Sequence, residues 1–136
     1  MSKMPWLIAG AAVVGLGAVL LAGSGTGSDA HGAAHPNPRR DITAERVLPL
    51  SLIPRTIGAV EAYAAARSVP ATLDGLYCHC DCSQHAGHRS LLTCFESDHG
   101  AFCDICMGEA MLASTLVARG TSLQEIRAAI DRQFGS

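Results

Sequence analysis

The chain has 136 residues, six cysteines and a formal net charge of −2. That length holds one domain and one appendage, and the near-neutral balance leaves no basic footprint, so no nucleic-acid partner is expected. A folding unit of under about 100 residues is marginal on hydrophobic burial alone and calls for covalent or metal staples.

Residues 4–23, MPWLIAGAAVVGLGAVLLAG, form a 20-residue run without a charge. A helix of about that length spans a hydrocarbon core of roughly 30 Å. Lys3 ahead of it favours an inside N-terminus. The expectation is a single-pass transmembrane anchor. A signal segment is the competing reading, with Ser28-Asp29-Ala30 as a passable cleavage site. Both put the remainder on the extracytoplasmic side of the cell membrane. The spacings Ala11-x-x-x-Gly15 and Ala18-x-x-x-Ala22 permit contacts with other membrane-protein subunits.

Residues 24–40 are rich in Gly, Ser and Pro and have no apolar period, so a flexible linker is expected, with His31 and His35 solvated. Residues 41–136 are the expected domain. Pro49 and Pro54 confine any early helix to a short piece around 43–47. Residues 57–67 read as a helix capped by Thr56, with Ile57, Val60 and Ala64 on its inner face. Pro70 stops it, and residues 71–76 add one further turn.

Residues 77–106 read YCHCDCSQHAGHRSLLTCFESDHGAFCDIC and hold every cysteine: Cys78, Cys80, Cys82, Cys94, Cys103 and Cys106. Four of the six histidines lie there too. If Cys78–Cys82 is extended, alternation turns its three sulfurs to one side and His79 to the other. Residues 88–95 read as a short helix that carries Leu91, Leu92 and Phe95 into the core and brings Cys94 to the other thiols. Residues 102–118 make the central helix, ended by Gly120, with Cys103 and Cys106 on one face of its first turn. The last helix, 122–134, opens on a Ser122–Glu125 capping box and carries the stripe Leu123, Ile126, Ile130 and Phe134. No strand and no internal repeat is expected. The fold class is all-α: an N-terminal transmembrane helix plus a small cysteine-rich helical domain.

Six thiols admit three readings. An oxidising compartment and an even count fit a disulfide framework with no cofactor, although bridges inside a C-x-C-x-C run would be strained. Thiolates with imidazole co-ligands fit Cu(I) or Zn(II). The segment's four carboxylates against one arginine give it a formal charge of −3, which suits a cation. One zinc would leave spare thiols, whereas several Cu(I) ions sharing thiolates would use all six, so copper is preferred. His88 and His99 are the better histidine co-ligands, ahead of His79 and His85. Met107 and Met111 are soft donors that fit better as core filler. Cys103 and Cys106 at a helix start also fit thiol–disulfide exchange, but without the usual βαβ surroundings. No acid–base catalytic constellation stands out, so no enzyme is expected. A metal donor or acceptor protein is the partner that carriage would require. If the thiols are bridged instead, the chain reads as a disulfide-stapled subunit of a membrane complex.

The segments YCHCDC, GHRSLLTCF, HGAFCDICMGEA and EIRAAID together resemble the bacterial proteins named for a PCYCGC motif. The resemblance covers residues 59–135. It implies an exported, membrane-tethered protein, often a lipoprotein, and no settled activity. This chain has no lipobox cysteine, has Tyr77 ahead of the run, and has His79 and Asp81 where the name has Tyr and Gly. Every sulfur position is kept, but a turn that needs Gly at position 81 is put in doubt.

Overall fold

The computed structural model describes residues 34–135. Within them the chain is all-helical, without strands, and no helix is long and apolar enough to cross a membrane. The expected anchor (4–23), its small-residue spacings and His31 lie outside the described residues. Six α-helices follow in order: α1 Ala59–Ser68, α2 Pro70–Asp74, α3 Cys82–His85, α4 Leu91–Phe95, α5 Asp104–Ala118 and α6 Leu123–Phe134. Short 3-10 turns at Ala44–Arg46, Leu50–Leu52 and His99–Phe102 complete the set.

The centre is α5, packed most extensively along α1 and next along α6. Small residues make the first contact close: Ala59, Ala62 and Ala66 of α1, and Ala110 and Ala113 of α5, are all fully buried. Tyr63 fills the gap above them, its ring edge-on to Phe95 at 4.8 Å between centroids and its hydroxyl donating to the Ser97 carbonyl at 2.6 Å. Such an aromatic pair adds about 1 kcal/mol beyond its buried area. The α5 helix ends as expected. Gly120 takes φ +76°, and the Thr121 and Gly120 amides donate to the Leu116 and Val117 carbonyls, closing a Schellman motif.

The last helix matches its sequence signature. Ser122 and Glu125 form the reciprocal capping box, and Ile126 and Ile130 are buried, with Leu123 and Phe134 packed at the edge of the core. The first helix does not match. It starts at Ala59, its N-cap is Gly58, and its buried face is Ala59, Ala62, Tyr63 and Ala66. Ile57 is 97% exposed. Thr56 caps nothing; its hydroxyl donates instead to the Ala101 carbonyl at 2.6 Å. The large aromatic ring decides which face turns inward, because Tyr63 buries far more area than Val60 or Ala64 would. Pro70 both stops α1 and opens α2 at its first turn, where its missing N–H costs nothing.

Part of the expected linker is not free chain. Its last part, residues 34–40, lies on the domain. Arg127 donates to the Pro36 carbonyl at 2.7 Å and Arg89 to that of Asn37, while Arg39 binds Asp74. His35 is also held, against Tyr77 and Asp131. The contacts that dock this segment are polar, so it has no apolar period to read.

Candidate metal centre

Three pieces of chain meet at the site. The first is Tyr77–Cys82. It is not extended: Asp81 takes φ 58°, the left-handed region, and the chain turns there into α3 with Cys82 at its first position. Asp is among the few non-glycine residues that tolerate this conformation. The turn expected of Gly at this position therefore survives the change to Asp, and the Tyr77 hydroxyl braces it by donating to Asp81 Oδ1 at 3.0 Å. The second piece is α4, tied in by the Leu91 amide donating to the Leu76 carbonyl at 2.8 Å. It presents Cys94, with His88 just ahead of it. The third runs from the His99–Phe102 turn, which carries His99, into the start of α5. Cys103 is its N-cap rather than part of its first turn, and the Cys103 sulfur accepts from the Cys106 amide at 3.5 Å.

These pieces bring together all eight residues that the sequence nominates. Cys78 Sγ lies 3.2 Å from Cys80 Sγ and 3.3 Å from Cys106 Sγ. Cys82 Sγ lies 3.1 Å from His99 Nε2, and Cys94 Sγ 3.2 Å from His88 Nδ1. The two imidazoles pack edge to face with centroids 4.8 Å apart. In each of three overlapping groups the potential donor atoms lie within 4.8 Å of one another: Cys78, Cys82, Cys94 and Cys106; Cys82, Cys94, His88 and His99; and Cys80, Cys103 and Cys106. All six thiols are free. A covalent S–S bond is about 2.05 Å long, so no sulfur pair is at disulfide distance. The disulfide framework and the stapled subunit built on it lose their support here, because the sulfurs converge on shared volumes rather than pairing off.

Electrostatics explain why the cluster invites a cation. Hydrogen bonds from Cys106, and then from Cys94, hold the Cys78 thiol below its ordinary range. The same contact with Cys78 pushes Cys106 up. Burial raises Cys80 and Cys82. Buried thiols in mutual contact share protons, since one thiolate opposes the ionisation of the next. A bound metal ion removes that opposition and displaces the protons. Burial, then the neighbouring His99, keeps His88 below its ordinary value, which favours the neutral imidazole that can donate a lone pair to a metal. These donors fit a soft or borderline cation.

His79 turns away from the sulfurs, although the run is turned and not extended, and joins a polar network that the sequence did not reveal. Its Nδ1 lies 2.7 Å from Glu109 Oε1 and its Nε2 3.1 Å from Asp131 Oδ1. His35 joins the same carboxylate through Nε2 at 2.9 Å, while its Nδ1 accepts from the Tyr77 amide. Glu109 is fully buried, and its Oε2 has no hydrogen-bond partner. Burial, then the charge at Cys78, pushes its carboxyl up to about 10. The available signal was spacing: Glu109 lies one helical turn after Cys106, on the same face. His85 is exposed at the end of α3 and Met111 is 46% exposed, whereas Met107 is buried core.

No curated protein and no solved structure matches this chain. A family described as "Protein of unknown function with PCYCGC motif" matches residues 13–136. That match covers most of the chain, and the protein belongs to the PCYCGC-motif family.

Proposed function

We propose that this protein is a membrane-tethered, extracytoplasmic binder of a soft metal ion, Cu(I) in preference to Zn(II), that serves to carry, store or sense it. The observation that carries the reading is the overlap of three donor groups, each with its atoms within 4.8 Å. A single zinc uses four ligands. Here six thiols and two imidazoles fall into three overlapping groups, and thiolates select Cu(I). The formal charge of −3 over residues 77–106 also favours a cation. The uncharged run at 4–23 supports tethering, by its length and composition. A metal donor or acceptor protein is the partner this role needs.

The test is to purify the full-length chain without oxygen, then measure bound metals and free thiols together. Bound copper with protected thiols is the expected result. Zinc at one ion per chain would move the assignment to Zn(II). Six reactive thiols and no metal, even after Cu(I) is supplied, would sink the metal reading. Labelling the cysteines of intact cells with a membrane-impermeant reagent, with and without metal chelation, tests the side of the membrane.

A further inference from the structure

The three donor groups are not equivalent, and their order has a mechanical meaning. The middle group, Cys78, Cys82, Cys94 and Cys106, is buried throughout, with no member more than 4% exposed. It shares Cys106 with the group of Cys80 and Cys103. It shares Cys82 and Cys94 with the group that contains His88 and His99. Each outer group also has two half-buried members of its own: Cys80 and Cys103 at one end, His88 and His99 at the other. Two groups of different chemistry are therefore half-buried, and a fully buried one shares sulfurs with both.

We propose that the cluster is a three-seat relay, in which a soft ion enters at one end, crosses the buried seat through shared sulfurs, and leaves at the other. The proposal rests on the soft-metal reading above. Each move is ligand exchange at constant oxidation state. An incoming ion displaces a proton from each thiol it binds, and the shared sulfur keeps its bond to the ion while an outer ligand is released and a ligand of the next seat replaces it. The released thiolate takes up a proton as the incoming thiol of the next seat gives one up, and an imidazole that binds or leaves exchanges none. Shared ligands matter because a fully desolvated cation between seats would be prohibitively costly. The ends also differ in preference. Sulfur alone favours Cu(I), whereas the mixed sulfur–imidazole end also accepts a borderline ion.

The test loads the reduced full-length chain with Cu(I) under anaerobic conditions and counts ions by native mass spectrometry. Three ions are expected in the wild type, one per donor group. The pair His88→Gln/His99→Gln and the pair Cys80→Ser/Cys103→Ser should each hold two. The variant combining all four changes should hold one, and should surrender it to a Cu(I) chelator more than about tenfold more slowly than the wild type, because release then needs local opening. Far-UV circular dichroism of each apo variant checks the fold, and the single changes His99→Gln and Cys103→Ser replace any pair that loses helix. No binding by the wild type would overturn the soft-metal reading itself. Binding that is unchanged when both histidines are removed would overturn the seat order alone. A four-change variant that releases its ion as fast as the wild type would overturn the relay while leaving the seats standing.

Discussion

The domain has two polar interiors, and they differ in completeness. Around Asp74, everything is matched. The carboxylate is fully buried, yet it accepts from the Arg39 backbone and guanidinium and from the Ser90 hydroxyl, and it pairs with Arg89 at 3.1 Å. Around the sulfurs the contacts run from thiol to thiol, imidazole or amide, and the neighbouring Glu109 keeps a buried oxygen without a partner. Native interiors satisfy nearly all their buried polar groups. The first interior is finished by the chain itself and holds the domain together; the second is the one that the proposed metal ion would complete.

The sharpest way to break this comparison is to supply metal. An ion present at about 1,000 times its dissociation constant stabilises the fold by about 4 kcal/mol. Equilibrium denaturation with and without Cu(I) should register that gain in the wild type and lose most of it in Cys106→Ser, which removes a sulfur shared by two groups. Asp74→Ala should do the reverse. Breaking a buried ion pair costs about 3 kcal/mol, and the loss in denaturation midpoint should be the same with and without metal.

Glu109→Gln probes the unfinished side. The folded carboxyl titrates near 10, far above an ordinary glutamate near 4.3. A raised acid places the penalty on the charged form, so it is absent below about pH 4 and grows as pH rises towards the folded value. In metal-free protein the variant should therefore gain on the wild type between about pH 5 and about pH 9, by up to about 1.4 kcal/mol for each pH unit. A constant difference across that range would remove the unmatched carboxyl from the account. On the finished side the sign is opposite. Burial alone would raise Asp74, but the Arg39 hydrogen bonds and charge outweigh it and hold the folded value below the ordinary one. Its contribution is full above about pH 4 and is lost as pH falls through the folded value. Asp74→Asn should flatten that acid limb in a thermal scan.

The smallest effect is expected at the turn. Asp81→Gly relieves a left-handed residue but loses the contacts from the Tyr77 hydroxyl and the Gln84 amide. These terms are each about 1 kcal/mol or less and opposed. Stability should move by less than about 1 kcal/mol, and Cu(I) capacity should stay unchanged by mass spectrometry.

How much was legible follows from the same physics. The last helix could be read because its cap and its stripe agree at every position from Ser122 to Phe134. The convergence of Cys78, Cys80 and Cys82 on the start of α5 could be read from residue types, though the backbone turns at Asp81 instead of running extended. The start of α1 misled, because a threonine beside a helix start has other acceptors, and Thr56 found the Ala101 carbonyl. Asp74 and Asp131 could not be nominated, and Glu109 had only its spacing from Cys106 to mark it. A lone carboxylate in sequence looks like surface charge until its burial and its partners are known. Residues 34–40 hid for a related reason, since three arginines do the docking and arginine is common on any surface.

That docking has a consequence for reach. With residues 34–40 clamped to the body, only ten residues, 24–33, separate it from the uncharged run that ends at Gly23. Fully drawn out, such a leash covers at most about 36 Å. If the run spans the bilayer as proposed, the sulfur pocket patrols a shell a few nanometres deep above the lipid headgroups, within arm's length of any transporter mouth that opens there.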